Sequence, residues 1–185
     1  MNDRESEILL QLKAGEEKGF RALFELYYTP LCVFALNYVD SFEKVEDIVQ
    51  EVFINFWENQ KANQLKSSLR SYLFTAVRNN LLYDLRSSSR YRHEAIDARF
   101  ELADDVLDDQ SELEEKKQQI YQQLEQLSPQ ARAVFERLVF RNMKYKEVAS
   151  ELGVSVNTVK TTFARTLKRL RSSFDLILVI LLSSL

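Results

Sequence analysis

Two small helical domains joined by an acidic linker are the fold that this 185-residue sequence predicts, with no sheet. Three observations lead there. Only three Gly and two Pro argue against a turn-rich β chain. Hydrophobic residues make up 45% and charged residues 29%, the balance of a soluble, core-forming chain. Apolar residues recur at three- and four-residue spacing in both halves, and the recurrence lapses between residues 94 and 117, which hold ten acids.

The first domain is expected over residues 1–93. Ile8, Leu9 and Leu12 begin it, and Gly15 is a plausible stop. Phe20, Leu23, Phe24, Tyr27 and Tyr28 form the next buried stripe, and Pro30 is read as opening a further helix that carries Phe34 and Tyr38. Val45, Ile48, Val49, Val52, Phe53, Phe56 and Trp57 form the clearest amphipathic run. A polar stretch, Gln60 to Ser68, precedes a long helix from about Leu69 to Arg86, striped by Leu69, Tyr72, Leu73, Ala76, Val77 and Leu81. Residues 94–117 read as a tether. The second domain is expected over 118–174. Ile120, Leu124 and Leu127 lead to Ser128-Pro129, a helix cap followed by Pro at the first helical position. Ala133, Val134, Phe135 and Leu138 supply the next stripe, and no internal repeat is visible.

Net charge of −3 conceals a strong asymmetry. Residues 1–58 hold 5 cations against 12 acids, and 94–117 hold 3 against 10. Residues 59–93 reverse this with 7 against 1, and 118–185 with 10 against 5. Two basic blocks suggest a polyanion, and acidic faces suggest a basic partner or self-screening. The lone Cys32 cannot form an internal disulfide, and with the lone His93 it makes no zinc site. Met1 to Leu12 is charged from Asp3 onward and lacks a signal peptide's apolar core, so a cytoplasmic chain is expected. Paired carboxylates, a nucleophile–base set and a phosphate-cradling glycine loop are all missing, so no enzyme, catalytic residue, metal or other cofactor, or small-molecule substrate is expected.

The sharpest local signal is YKEVASELGVSVNTVKTTFARTLKRLR, residues 145–171. Val148 and Leu152 face a core, Ala149 permits close helix approach, and Gly153 suits a turn that needs positive φ. Ser155 can cap a helix whose buried positions are Val159, Phe163, Leu167 and Leu170. Asn157, Thr158, Lys160, Thr161, Ala164, Arg165 and Lys168 then point outward. Short polar side chains near the helix start can reach base edges, and the cations Lys160, Arg165, Lys168, Arg169 and Arg171 can meet phosphates. This is a helix-turn-helix, and DNA binding is its expected function.

That motif fits both response-regulator effectors and region 4 of bacterial sigma factors; the first half of the chain separates them. Glu46-Asp47-Ile48-Val49-Gln50-Glu51-Val52-Phe53, followed by Asn55-Phe56-Trp57, closely resembles region 2.2 of the extracytoplasmic-function sigma factors, group 4 of the sigma-70 family. Leu69-Arg70-Ser71-Tyr72-Leu73-Phe74-Thr75-Ala76-Val77-Arg78-Asn79-Asn80 resembles their regions 2.3 and 2.4. The resemblance covers about residues 20–93 and 118–171 in the family's order. It implies a factor that binds core RNA polymerase, recognises promoter DNA at −35 and −10, and initiates transcription. It also implies control by an anti-sigma factor, membrane-anchored in some cases.

The resemblance implies −35 contacts at Ser155, Asn157, Thr158, Lys160, Thr161, Arg165, Lys168 and Arg169. It implies −10 contacts at Asn63, Lys66, Ser67, Ser68, Arg70, Arg78, Asn79, Asn80 and Arg86, with a flipped base captured by the 60–68 loop near Gln60. Arg90 and Arg92 extend that basic block. Cations interleaved with aromatics suit a single strand, although Phe74 and Tyr83 are read here as core. Polymerase docking is expected at Asp47, Gln50, Glu51, Ile54 and Glu58, where one apolar residue stands among polar ones on the face opposite the core stripe. The tail 175–185 includes seven consecutive apolar residues, far short of the roughly 18 that span a bilayer. It is expected to pack on the chain itself, the alternative being a hydrophobic partner or self-association. The rival readings are a helix-turn-helix regulator that never joins polymerase and, more remotely, an adaptor working through its tail.

Overall fold

The computed structural model describes residues 3–39, 41–87, 118–141, 143–170 and 173. Every regular element among them is helical, in two groups. His93, Arg90, Arg92, the acidic segment 94–117 and the tail 175–185 lie outside the described residues.

α1 (Asp3–Lys13) buries Ile8 and Leu12 against α2 (Glu17–Leu36). The chain turns between them at Gly15, whose φ of +70° a residue with a side chain rarely adopts. Gly19 lets the two helices meet closely: a Cβ there would stand 2.7 Å from Gln11 Cβ and 2.9 Å from the Leu12 backbone nitrogen. α2 does not break at Pro30 to open a new helix; it runs unbroken from Glu17 to Leu36 with Pro30 inside it. A proline within a helix costs about 3 kcal/mol. Full burial of Leu23, Leu26, Tyr27, Leu31 and Val33 on both sides of the proline outweighs that cost.

α3 (Phe42–Glu58) is capped by Ser41, whose side chain accepts from the Lys44 N–H, and buries Val45, Ile48, Val49, Val52, Phe53 and Phe56. Trp57 is only partly buried and packs on Phe20, ring centroids 5.2 Å apart. Two residues past the helix, Gln60, a non-glycine residue held at φ 45°, turns the chain into a 3-10 turn (Lys61–Gln64) that begins the loop. Ser68 accepts from the Ser71 N–H at 3.1 Å and so caps α4 (Leu69–Ser87), which lies against α2 and α3. Leu69, Leu73, Phe74, Val77 and Leu81 are its buried side. Phe74 is core as expected. Tyr83 is not: it is 79% exposed. At 100° per residue it lies nine positions, half a revolution, from Phe74.

The second group begins with α5 (118–124), which buries Ile120 and Leu124. Ser128 caps α6 (Pro129–Phe135) by accepting from the Ala131 N–H, with Pro129 in the first turn. α6 continues into a wider π turn, Glu136–Phe140. There Arg137 donates to Glu151 from Nε (3.0 Å) and Nη2 (2.7 Å), tying the turn to α7 (Tyr145–Leu152). That hydrogen bond holds the Glu151 carboxyl below its ordinary range. Gly153, at φ +65°, makes the turn into α8 (Val156–Arg169). Ser155 caps α8 by accepting from the Thr158 N–H at 3.0 Å. Val159, Phe163, Leu167 and Leu170 are all buried, as the spacing predicts; Leu152 is only partly so.

Candidate nucleic-acid and polymerase interfaces

Three surfaces gather the residues singled out by sequence. On α3, the face opposite the core carries Asp47, Gln50, Glu51, Ile54 and Glu58, every one exposed. Ile54 is 50% exposed, one of three large apolar side chains so exposed among the described residues, with Leu10 and Tyr83. Nothing in the packing of the helix requires it to stand in water.

On α8, Asn157, Thr161, Arg165, Lys168 and Arg169 are exposed, and Thr158 is half-buried. Ser155 is occupied: its hydroxyl caps the helix and lies 2.8 Å from Thr158 Oγ1. Thr161 turns its hydroxyl back to the Asn157 carbonyl at 2.9 Å. The helix therefore offers one amide near its start and three cations toward its end.

The third surface is split. Asn63, Lys66, Ser67 and Asn79 are exposed, while Asn80, Arg70 and Arg78 are half-buried. Arg70 lies in the field of Glu5, whose carboxyl is raised by burial and lowered in turn by that guanidinium. The Ser68 hydroxyl is engaged in capping α4. Arg86 belongs to α4 by its backbone. A cleft of about 480 Å³ opens where the end of α1 meets the end of α3 and the 3-10 turn. Its lining includes Phe56, Trp57, Glu58, Gln60, Ala62 and Asn63. The loop and this cleft share Gln60 and Asn63; Lys66, Ser67 and Ser68 are not part of its lining.

Sequence spacing missed a fourth feature, the contact between the two helical groups. Lys160 of α8 does not stand free in solvent: its ammonium meets the Glu46 carboxylate of α3 at 2.5 Å, and lies 5.9 Å from the centre of the Phe42 ring. The Tyr28 hydroxyl donates to the same carboxylate oxygen. Lys144 meets Glu25 of α2 at 2.6 Å. Between these pairs the buried Tyr145 packs edge-on against Tyr28, Phe42 and Phe163, at centroid distances of 6.0, 6.1 and 6.2 Å. Cys32 is fully buried beside them, in the field of Glu46 and Lys160. Burial raises the phenols of Tyr28 and Tyr145 and the thiol of Cys32 above their ordinary ranges, so all three stay neutral. The aromatic residues gave no sequence signal for this role, because each also fits its own helix's core stripe.

Among the described residues no three His, Cys, Asp or Glu side chains gather to hold a metal, and no helix is long and apolar enough to cross a membrane.

Residues 23–91 match the model for sigma-70 region 2, and residues 117–170 match that for sigma-70 region 4. Together they take in about two thirds of the chain, in that order. The ECF RNA polymerase sigma factor SigL of Mycobacterium tuberculosis is 28% identical over 160 residues, covering 85% of this chain and 90% of its own. The ECF RNA polymerase sigma factor SigX of Bacillus subtilis is 28% identical over 167 residues, covering 87% and 86%. The solved structure of CnrH in complex with the cytosolic domain of CnrY is 23% identical and covers 94% of this chain and 98% of its own. Its TM-score of 0.41 is too low for its domain arrangement to be carried over. With both regions matched in order, and curated relatives aligned over 85% and 87% of its length, the chain belongs to the sigma-70 family, as an RNA polymerase sigma factor of the extracytoplasmic-function type.

Proposed function

We propose that residues 1–93 dock on core RNA polymerase and open the −10 region, that residues 118–174 read the −35 element, and that 94–117 link the two. Ile54 carries the polymerase half of this reading. An aliphatic side chain half in water, ringed by Asp47, Gln50, Glu51 and Glu58, is the pattern of an apolar anchor with a charged rim. Similar sigma factors place this surface on the clamp helices of the polymerase β′ subunit.

In the −35 half, α8 enters the major groove N-terminus first. Asn157 meets a base edge in this reading, and Arg165, Lys168 and Arg169, all exposed, meet phosphates. Lys160 joins them once released from Glu46. Ser155 contributes by fixing the start of the helix. In the −10 half, the aromatic wall and amides of the Phe56–Asn63 cleft suit a base taken out of the stack, an event that costs a few kcal/mol. Lys66, Asn79, Asn80 and Arg86 then track the strand. Tyr83, standing clear of the core, adds a platform for stacking. Ser68 acts there through the cap it gives α4.

The polymerase supplies the chemistry, so the chain works in the cytoplasm without cofactor or catalytic residue of its own. Control by an anti-sigma factor is part of the same reading and rests on the family alone. The test is co-elution with bacterial core polymerase, wild type beside Ile54→Asp. A stoichiometric complex that the variant loses, with its helix content intact, is the expected result. Failure of the folded wild type to bind core polymerase would overturn the reading.

A further inference from the structure

The cleft shared with the 60–68 loop has a side that the basic block does not build. Leu12, Lys13, Ala14 and Gly15, at the end of α1, line it together with Gln60 and Asn63. α1 lies ahead of residues 23–91, the stretch matched to sigma-70 region 2, so this side falls outside the matched region. Packing fixes its place. Gly19 of α2 lets the two helices meet at Gln11 and Leu12, where a Cβ would stand 2.7 Å from Gln11 Cβ, and α1 also lies against the 3-10 turn.

Lys13 is the cation in that lining; Lys66, Arg70 and Arg78 are not part of it. The ordinary task of a lysine in the last turn of a helix is to neutralise the final carbonyls. Here backbone groups already serve them. The Leu10 carbonyl accepts from the Ala14 N–H, the Gln11 carbonyl from the Glu16 N–H and the Leu12 carbonyl from the Gly15 N–H, each at 3.0 Å. The last two bonds are the closure that Gly15 permits at φ +70°. Lys13 itself is exposed and makes no ion pair among the described residues. The other charge in the lining is Glu58, which disfavours an anion. A base entering this cleft of about 480 Å³ brings its phosphates with it, and Lys13 is the group in the lining that can meet one.

We propose that α1 takes part in promoter opening: Lys13 pairs with the phosphate of the nucleotide whose base enters the Phe56–Asn63 cleft. This deepens the −10 reading proposed above and rests on it. The loop and α4 track the strand, and α1 holds it at the extruded nucleotide.

The experiment titrates the complex of the full chain with core polymerase against a fluorescent single-stranded −10 oligonucleotide. Lys13→Gln is expected to weaken binding about tenfold, as loss of one charged contact does. It should also reduce the slope of log K against log salt by about 0.7, and Lys13→Arg should restore both. An abasic site is then walked through the probe. At the position whose base fills the cleft, wild type and Lys13→Gln should bind alike, because the phosphate is no longer drawn to Lys13. An equal effect of Lys13→Gln on every probe would make the lysine a distant charge and overturn the proposal, as would no effect at all. A fall in the stability of Lys13→Gln as large as its fall in affinity would overturn it too, returning the lysine to the helix end. Asn63→Ala and Lys66→Gln report on the −10 reading separately. If they weaken binding and Lys13→Gln does not, that reading stands and the role of α1 falls; if the wild-type complex ignores the probe, both fall.

Discussion

α4 and α8 are both helices of the chain's basic blocks, yet they present their polar residues in opposite ways. α8 keeps one clean buried stripe and leaves Asn157, Thr161, Arg165, Lys168 and Arg169 exposed on a rigid rod. α4 sinks Arg70 and Arg78 halfway into its surroundings and, among its described side chains, exposes Asn79 and Tyr83. The polar groups beside it come from a loop instead. The difference matches two tasks. A duplex offers a groove of fixed width, which a straight convex helix fits. A separated strand offers unpaired bases, and these need a recess and a flat ring rather than a rod.

That contrast can be broken at three levels. The deepest is the scaffold. Phe163 is fully buried against Phe135 and Tyr145, and Phe74 is fully buried against Phe34. Phe163→Ala and Phe74→Ala should each cost about 3–5 kcal/mol in chemical denaturation. If the two domains fold independently, each loss will appear in a separate unfolding transition. Next comes the exposed ring. Tyr83→Ala should weaken binding of a single-stranded −10 probe by the polymerase complex by about 1–3 kcal/mol, with little change in stability because the ring touches no core. A fall in stability as large as that in affinity would return Tyr83 to a structural role. The smallest effect concerns the caps. Ser155→Ala should cost about 1 kcal/mol through the loss of the bond to the Thr158 N–H, and Ser68→Ala a similar amount. Ser155→Gly should recover most of it.

Local chemistry was the most legible part of this chain. Ser128-Pro129, Gly153 and Ser155 each act within four residues of themselves, and each does what its type and position imply. The period of the apolar residues likewise located the α3 and α8 stripes and their outward faces. Pro30 was misread because its cost is local while its compensation is tertiary: α2 is held together by what surrounds it. Tyr83 departs from expectation for another reason: its half-revolution offset from Phe74 is already in the spacing, and aromatic character alone does not say which side of a helix is buried. Ser68 shows a polar loop residue whose hydroxyl serves the next helix. The contact between domains was not legible at all. Glu46 and Lys160 are 114 positions apart, and a charge on a helix face looks the same whether water or another helix lies opposite.

Cys32 gives that contact a natural reporter. The thiol is fully buried, burial raises it above the ordinary thiol range, and two of its electrostatic neighbours, Tyr145 and Lys160, come from the other domain. Alkylation needs both access and a thiolate, and the burial of Cys32 withholds the two together. The single thiol of the wild-type chain is therefore expected to react slowly with a small alkylating reagent, and faster in a variant that parts α8 from α2 and α3.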